Sequence, residues 1–384
     1  MNQIKSYKYR IYPNVKQEVL LNKTFGCVRY YWNDLVETFN SYDENNKILN
    51  YKTSKEIRDI HSWMKDVSAS ALQQKYRDFE QTKNQYFSKN RKLKIQKPSF
   101  KIKSHSQSFR LPNPKFRIYG NKIQIEKIGK VKILIDRNIS DKAKLLSATI
   151  SKNASNEYFV SICFKLNVEF KTKTTTINVG IDLGISHIAT LSNGIQFNNA
   201  RFLIKNQDKL KLMQRHLSRK VKNSNRWNKQ RIKLAKIHQL ILNQKNWYLH
   251  NISTWIVNNF DEIGMEDLNI SGMIKNRNLA KHISDASMGK LKQFITYKQK
   301  EFNKEVILLN RFEASTKECN VCGFKKEMKL SDRIFNCDNC KLSLDRDYQA
   351  SIVIRNKTVG VNAVHQTWSD NKTKIHEVVS WQLL

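Results

Sequence analysis

The stretch Ile177-Asn-Val-Gly-Ile-Asp182-Leu-Gly184-Ile-Ser-His-Ile-Ala-Thr-Leu-Ser192 lies near the middle of the chain. Its first apolar run ends on an acid, turns at Gly184 and continues into a second apolar run, which predicts a strand, a tight turn and a second strand. Asp182 would then lie at the end of the first strand, where its carboxylate could bind a metal ion. A surface acid in a turn is the alternative for this segment taken alone.

Two further segments place acids in similar settings. Glu266 ends a short apolar run that follows a long helical segment, and Asp347 opens an apolar stretch of helical length. Mg²⁺ prefers oxygen ligands, so convergent carboxylates and substrate phosphates would form a suitable site. Two such ions about 4 Å apart activate the attacking water and stabilise the leaving oxygen of a phosphodiester. The neighbours Asp267 and Asp345 compete for these roles. Asp347 lies nearer than Asp345 to the start of the helix predicted at 348–354, where the helix dipole and free backbone N–H groups would hold its carboxylate.

Four of the six cysteines follow the pattern Cys319-x2-Cys322-x14-Cys337-x2-Cys340. Two Cys-x-x-Cys pairs supply four thiolates that can surround Zn²⁺ tetrahedrally, as in zinc ribbons. Disulfides are the alternative, and a reducing cytosol disfavours them. A site with four thiolates has no open coordination position, so we assign this zinc to structure.

The chain carries 69 Lys and Arg residues against 33 Asp and Glu residues, a net charge of +36. Such an excess predicts a polyanionic partner, because neutralised phosphates release counterions. Packing in a ribosome-like or histone-like assembly is the alternative. No acid occurs between Glu80 and Glu126, where basic and aromatic residues alternate as in grooves that follow a nucleic-acid backbone. A solvated charge run is the alternative for this window.

The candidate phosphate-binding residues lie in this window and in a basic helical pair further along the chain. They are Lys83, Lys89, Arg91, Lys92, Arg110, Arg219, Lys220 and Arg226. No apolar run is long enough to span a membrane, which predicts a cytosolic or nuclear protein.

The first part of the chain alternates between strand and helix patterns. A half-buried strand is expected at 5–12, followed by helices at 15–42, with a break at Gly26, at 53–65 and at 67–91. Six short strands are expected between 107 and 166, which together form a small β-barrel. Residues 171–176 are expected to be a linker.

The second part of the chain begins with three predicted strands. They are followed by two long helices, the strand that bears Glu266, a helix at about 284–303 and a strand at 306–310. An RNase H-like fold has this order of elements: three antiparallel strands, a helix, a strand, a helix and a strand.

These segments resemble a known family. The Asp182 segment, Met265-Glu-Asp-Leu268 and Asp345-Arg-Asp347 are similar to the three parts of a RuvC-type nuclease site. Their order, with a four-cysteine knuckle just before the third part, resembles the transposon-encoded TnpB proteins, which are relatives of the type V CRISPR effectors and of the Fanzor proteins. The likeness runs from about residue 8 to about residue 354.

The resemblance implies a multidomain α+β protein, in which an RNase H-like (RuvC) nuclease domain with an inserted zinc ribbon accompanies a β-barrel wedge domain and an inserted helical recognition lobe. The implied boundaries in the first part are 1–13 for the first wedge strand, 14–95 for the recognition lobe and 96–170 for the wedge barrel. The nuclease domain would cover 171–356, with a helical insertion at about 201–258 and the zinc ribbon at about 313–344. Residues 357–384 would form a tail that is expected to be disordered.

The resemblance also implies a function. The protein would be an RNA-guided DNA endonuclease of an insertion-sequence transposon, which cuts double-stranded target DNA next to a short flanking motif. Asp182, Glu266 and Asp347 would hold two catalytic Mg²⁺ ions, and the knuckle would hold one Zn²⁺. Its partners would be a guide RNA derived from the transposon end and the target DNA, with no membrane and no small-molecule substrate. The location would be the cytoplasm of a prokaryote, at the nucleoid.

In this family the flanking motif is read by the helical lobe and the wedge domain, which makes polar residues on those helices candidates for reading base edges. They are Tyr51, Thr53, Ser54 and Gln73.

Two departures from the family pattern stand out. Lys341 follows the last cysteine where the family usually has glycine, and Gln349-Ala350-Ser351 replaces the usual Asn-Ala-Ala. Three other functions remain open: a nuclease-silent or weakly active regulator that binds DNA with a guide RNA, an RNA-independent accessory DNA-binding protein of a transposon, and a plain RuvC-like resolvase.

Overall fold

The computed structural model divides the chain into two compact units, with the boundary between residues 169 and 170. The described residues are 2–41, 50–88, 96–103, 106–167, 170, 177–310, 313, 315–329 and 332–360. Several predictions lie outside them: the phosphate contacts of Lys89, Arg91 and Lys92, the linker at 171–176 and most of the C-terminal tail. Within the described residues, no helix is long and apolar enough to cross a membrane.

The first unit contains a seven-stranded antiparallel sheet. Its strands are β1 (Asn2–Tyr12), β2 (Gln107–Pro112), β3 (Phe116–Tyr119), β4 (Lys122–Ile125), β5 (Gly129–Leu134), β6 (Lys144–Lys152) and β7 (Tyr158–Asn167). The order is β2-β6-β7-β1-β5-β4-β3, so β1 lies at the centre although it begins the chain. The two edge strands, β2 and β3, follow one another in sequence, and Lys115 N donates to Pro112 O (2.9 Å) in the turn between them. The sheet therefore curls into a nearly closed barrel.

Three helices are inserted between β1 and β2. They are α1 (Val15–Asn40), α2 (Ser54–Ile60) and α3 (Ala69–Phe87). The predicted break at Gly26 is wrong, because α1 continues through it as one helix of 26 residues. Buried side chains on both sides of the glycine, among them Leu21 and Trp32, hold the helix on the core. This packing outweighs the intrinsic cost of a helical glycine, which is about 1 kcal/mol.

The second unit is built on a five-stranded mixed sheet. Its strands are β8 (Asn178–Asp182), β9 (His187–Leu191), β10 (Gln196–Asn198), β11 (Glu262–Glu266) and β12 (Val306–Leu309), in the order β10-β9-β8-β11-β12. The first three strands pair antiparallel, and β11 pairs in parallel with both β8 and β12. The predicted sequence of strands is confirmed. All five residues of β8 are buried, as its apolar run predicts.

The second unit also contains seven α-helices among its described residues. They are α4 (Phe202–Lys205), α5 (Gln207–Ser218), α6 (Asn225–Asn259), α7 (Ile270–Met273), α8 (Arg277–Ala286), α9 (Met288–Gln299) and α10 (Arg346–Thr358). The helix predicted at about 284–303 corresponds to α9 and the 3₁₀ turn Lys300–Phe302 that follows it. Helix α8 was not predicted, and it is separated from α9 by Ser287, which has a left-handed backbone with φ of 55°. A hairpin of β13 (Ile334–Asn336) and β14 (Ser343–Asp345) leads directly into α10.

Helix α10 lies directly on the backbone of β8 and β11. Gly180 and Gly264 are paired across these strands, and neither carries a side chain that would keep the helix away. A Cβ added to Gly180 would collide with the carbonyl oxygen of Ser351, and one added to Gly264 would collide with the Thr358 hydroxyl. At the far end, Asn178 Nδ2 donates to Val359 O (2.9 Å) and so binds the helix C-terminus to the sheet.

We predict that Gly180→Ala destabilises the protein, because the new methyl group forces α10 away from β8. Overpacking of this kind costs about 1 to 3 kcal/mol. The matched control is Gly26→Ala in α1, where an added Cβ meets no atom within 4 Å. That change should raise the free energy of unfolding by about 0.5 to 1 kcal/mol. Urea denaturation of the full chain measures both, and equal stability of the two variants would contradict the prediction.

Candidate active site and zinc knuckle

The three predicted acids lie around one edge of the mixed sheet. Asp182 ends β8 and Glu266 ends β11, and these strands run parallel, so both carboxylates lie at the same edge. Asp347 lies in the first turn of α10. Its Oδ2 would be 4.0 Å from a Cβ added to Gly184, which places the carboxylate against the turn that follows β8.

The electrostatics of the site reflect this convergence. Asp182 is buried, and burial together with the negative charges of Glu266 and Asp347 raises its pKa well above the usual range. Burial also raises the pKa of Glu266, and a hydrogen bond from Ser315 partly opposes that shift. Like charges that share a low-dielectric site disfavour one another, and a divalent cation relieves the repulsion. The donor set of three carboxylates therefore fits a hard divalent ion.

The carboxylates are not packed as closely as the ligands of a single small ion. In the described part of the chain, only the four clustered cysteines form a group of three or more ligating atoms that all lie within 4.8 Å of one another. Glu266 and Asp347 are instead held by separate side chains, Ser315 and Arg346 respectively.

Asp347 is oriented by the residue before it. Arg346 Nη2 and Nε lie 3.0 and 3.2 Å from Asp347 Oδ1. The same guanidinium opposes the rise in the pKa of Asp182. Arg346 thus brings positive charge to the acids and holds one oxygen of Asp347, while Oδ2 remains turned towards the end of β8.

Asp347 is not the carboxylate that backbone N–H groups hold at the start of α10, as the sequence predicted. The carboxylate fixed by a free backbone N–H at the helix start is that of Asp345, which is the N-cap of α10 and accepts from Tyr348 N (2.9 Å). Asp347 lies two residues further along, in the first turn of α10, and is oriented by Arg346 instead. An N-cap carboxylate is already engaged, which leaves Asp347 as the acid available to a metal.

Asp267 has a different partner from Glu266. Lys292 Nζ on α9 lies 2.9 Å from Asp267 Oδ1, and the side chain of Asp267 is 37% exposed. Successive residues point in opposite directions at the end of a strand. Only Glu266 therefore faces the acids on the neighbouring elements.

Sequence reasoning missed Ser315. It is buried in a short 3₁₀-helix, Ser315–Lys317, and its hydroxyl donates to Glu266 Oε1. No periodicity marks a lone serine in an irregular segment. Its place four residues before Cys319 was the one available signal, because a zinc knuckle fixes the chain on either side.

The four cysteines come together as predicted. The Sγ atoms of Cys319 and Cys340 are 3.5 Å apart, as are those of Cys322 and Cys337. A tetrahedral zinc site with Zn–S bonds of about 2.3 Å requires S–S separations of about 3.8 Å. None of the four thiols forms a disulfide. The cluster therefore fits Zn²⁺.

The two Cys-x-x-Cys turns have the same geometry. Gly323 N donates to Cys319 O (3.0 Å), and Lys341 N donates to Cys337 O (3.1 Å). Gly323 and Lys341 both have a left-handed backbone, with φ of 71° and 61°. Lys341 thus adopts the conformation for which a glycine would be suited, and the turn is preserved at the cost of backbone strain.

Lys341→Gly should stabilise the knuckle by about 1 kcal/mol, because a left-handed residue with a Cβ is strained by roughly that amount. Gly323→Ala is the mirror-image change in the other turn and should destabilise the knuckle. Urea denaturation of the zinc-loaded chain, with zinc content measured in parallel, tests both variants. An unchanged or lower stability of Lys341→Gly would contradict this account.

The predicted nucleic-acid contacts occupy varied environments. Lys83 pairs with Glu80 (2.7 Å) and lies over the ring of Tyr51, which itself packs on Phe79. Arg110 pairs with Asp78 (2.5 Å). The Arg110–Asp78 pair joins β2 to α3, whereas Lys83 belongs to α3 and Tyr51 packs against that helix. Contacts of these residues with nucleic acid stay a prediction.

The remaining predicted contacts are more accessible. Thr53 is the N-cap of α2 and uses its hydroxyl there, whereas Ser54 is half-buried in the first turn and Gln73 is exposed on α3. Arg219 and Arg226 are exposed and Lys220 half-buried at the turn between α5 and α6.

Gln349 has a structural partner. Its side chain is fully buried, and Nε2 donates to Glu318 O (2.5 Å), just before the first cysteine of the knuckle. The glutamine that departs from the family pattern therefore connects α10 to the segment that enters the knuckle.

The raised pKa of Asp182 predicts how the stability of the protein depends on pH. A carboxyl group whose pKa is raised on folding binds more protons in the folded state, so the free energy of unfolding falls as pH rises above the unfolded pKa of about 3.9. With zinc bound and no Mg²⁺ added, Asp182→Asn should weaken this fall and be more stable than wild type at pH 8. Urea denaturation between pH 5 and 8 measures it. Asp267→Asn is the control and should follow wild type, and identical curves for all three proteins would contradict the prediction.

Three family models match the chain. Residues 161–277 match the OrfB_IS605 family, described as "Probable transposase", residues 289–354 match the "Cas12f1-like, TNB domain", and residues 1–47 match a helix-turn-helix domain. In the structure, residues 2–41 of the last match form β1 and α1.

Two relatives cover most of the chain. A "Putative RNA-guided DNA endonuclease" of Streptomyces pristinaespiralis is 30% identical over 91% of this chain and 89% of its own length. The "Putative RNA-guided DNA endonuclease InsQ" of Escherichia coli K12 is 28% identical over 88% of each chain. Among solved structures, a Cas12f1–sgRNA–target DNA complex matches with a TM-score of 0.52 and 12% identity, over 93% of this chain and 99% of that one. This likeness shows that the chain has a Cas12f1-like fold of mixed α and β structure.

Proposed function

Because the chain belongs to the TnpB (OrfB) family, we propose that it is an RNA-guided DNA endonuclease of an insertion-sequence transposon. The observation that carries the proposal is the convergence of Asp182, Glu266 and Asp347 at one sheet edge in a chain of net charge +36. The charge fits a nucleic-acid substrate, and buried acids fit the metal ions that hydrolyse phosphodiesters.

We assign the second unit to an RNase H-like (RuvC) nuclease domain at 171–356. Its mixed sheet, with three antiparallel strands followed by two parallel ones, supports this assignment. It would include a helical insertion at about 201–258 and a zinc ribbon at about 313–344. In the first unit, residues 1–13 and 96–170 would form a wedge barrel, and residues 14–95 a recognition lobe, in keeping with the insertion of α1, α2 and α3 between β1 and β2.

Asp182, Glu266 and Asp347 would hold two Mg²⁺ ions, and the four cysteines one structural Zn²⁺. When bound, Mg²⁺ supplies an activated water and stabilises the leaving oxygen of the cut strand. The chain supplies the positions of the ligands: the ends of two parallel strands fix Asp182 and Glu266, and Arg346 holds Oδ1 of Asp347 while Oδ2 lies against the turn that follows β8. Burial of Asp182 keeps bulk water from competing for its carboxylate.

The guide RNA, derived from the transposon end, would supply sequence specificity by base pairing with double-stranded target DNA, while the protein reads the short flanking motif. Lys83, Arg110, Arg219, Lys220 and Arg226 would contact phosphates, and Gln73, with Tyr51, Thr53 and Ser54, would lie near the flanking motif. Such a reaction would take place in the prokaryotic cytoplasm, at the nucleoid.

The nuclease-silent alternative depended on Gln349. That residue contacts Glu318 O rather than the acids. The described structure therefore offers no observation that favours a silent regulator over a nuclease.

The proposal is tested by purifying the protein from its own locus, sequencing the RNA that accompanies it and assaying cleavage of matching DNA with Mg²⁺. We expect RNA that ends at the transposon boundary, and cleavage that is lost in Asp182→Asn, Glu266→Gln and Asp347→Asn while RNA and DNA binding persist. Asp267→Asn and Asp345→Asn are matched controls that should retain activity, since asparagine still caps α10. RNA-independent binding to all DNA, or full cleavage by Asp182→Asn, would refute the proposal.

A further inference from the structure

Glu266 reaches the metal centre on a flexible side chain, unlike the shorter aspartates. In the part of the chain that the structure describes, its carboxylate accepts one hydrogen bond, to Oε1 from the hydroxyl of Ser315. Ser315 is 1% exposed, so water does not compete for this bond. The hydroxyl therefore fixes the rotation of the carboxylate and leaves Oε2 free for a ligand.

Ser315 is itself held from two sides. On one side, the chain enters the zinc knuckle at Cys319, four residues later. On the other, α10 holds the same turn: Gln349 Nε2 donates to Glu318 O (2.5 Å), and Lys357 Nζ lies 2.7 Å from Glu318 Oε2. The helix that bears Asp347 thus also fixes the segment that orients Glu266.

We propose that Ser315 is a positioning residue for Glu266, and that the zinc knuckle supports catalytic-metal binding by holding Ser315 in place. The inference rests on the proposed nuclease function. It gives Ser315, which is not one of the three acids, a role in the affinity of the site for its metal. Partners that orient a metal ligand from behind typically contribute about 10- to 100-fold to metal affinity or activity.

A matched set of variants separates this role from a structural one. Ser315→Ala removes the hydroxyl, Ser315→Thr retains it, and Thr316→Val removes the neighbouring hydroxyl, which makes no hydrogen bond to the acids in the described structure. All are prepared as full chains with guide RNA and with zinc in place. Mn²⁺ serves as the probe, because its binding is measured directly by electron paramagnetic resonance without any turnover.

We expect Ser315→Ala to weaken Mn²⁺ binding by about 10- to 100-fold and to raise the Mn²⁺ concentration for half-maximal cleavage by the same factor. The rate at saturating Mn²⁺ should fall much less. Ser315→Thr should bind nearly as wild type does, and Thr316→Val should match wild type. Zinc content and melting temperature, measured in parallel, should be unchanged throughout.

Wild-type Mn²⁺ affinity in Ser315→Ala would overturn the inference. So would a loss of zinc or of folding in Ser315→Ala that Ser315→Thr does not restore, because the residue would then support the knuckle rather than the carboxylate. Failure of the proposed function gives a different result: wild type itself would neither cleave nor bind Mn²⁺ in a manner that Asp182→Asn abolishes. That result would overturn both.

Discussion

The geometry of the proposed active site depends on the contact between α10 and the backbone of two parallel strands. Gly180 and Gly264 lie side by side in β8 and β11, and the helix occupies the space that their side chains would otherwise fill. A helix against a bare sheet has little freedom to slide or tilt, because backbone atoms cannot rearrange as side chains do. The first turn of α10 is thereby placed beside the strand ends, and Asp347 beside Asp182. The two glycines, which carry no functional side chain, thus fix the positions of the acids.

The same arrangement brings negative charges close together, and nearby side chains reduce the resulting repulsion. Three carboxylates lie at one end of the sheet, and the burial of Asp182 together with the charges of Glu266 and Asp347 raises the pKa of Asp182. Arg346 offsets part of the repulsion, and Ser315 stabilises the charge on Glu266. Both residues flank the knuckle, where the buried residues of the apolar cluster, among those that the structure describes, are Cys319, Phe335 and Cys337. So small a core cannot hold a hairpin by hydrophobic burial alone, and in such segments zinc binding supplies the missing folding free energy.

The sequence predicts those features that depend on neighbours along the chain. Apolar runs that end on acids gave the strands of Asp182 and Glu266, and cysteine spacing gave the knuckle. Features decided by distant contacts escaped prediction: packing on the core carries α1 through Gly26, and Arg110 pairs with Asp78 of α3. Ser315 belongs to the same group, since its partner Glu266 lies 49 residues earlier in the chain. The cap of α10 was misassigned because Asp345 and Asp347 both suit a helix start, and only the fold shows which carboxylate meets a backbone N–H.

Helical geometry explains why Gln349 can differ from the family pattern without altering the acid cluster. Residues two apart in an α-helix point about 200° away from each other, so Asp347 and Gln349 lie on opposite faces of α10. One face meets the ends of the strands, and the other meets Glu318 at the entrance to the knuckle. The additional methylene of glutamine lets its amide reach that carbonyl across a fully buried interface. The substitution therefore acts on how the knuckle docks against the helix. Its influence on catalysis has to pass through the turn that carries Ser315.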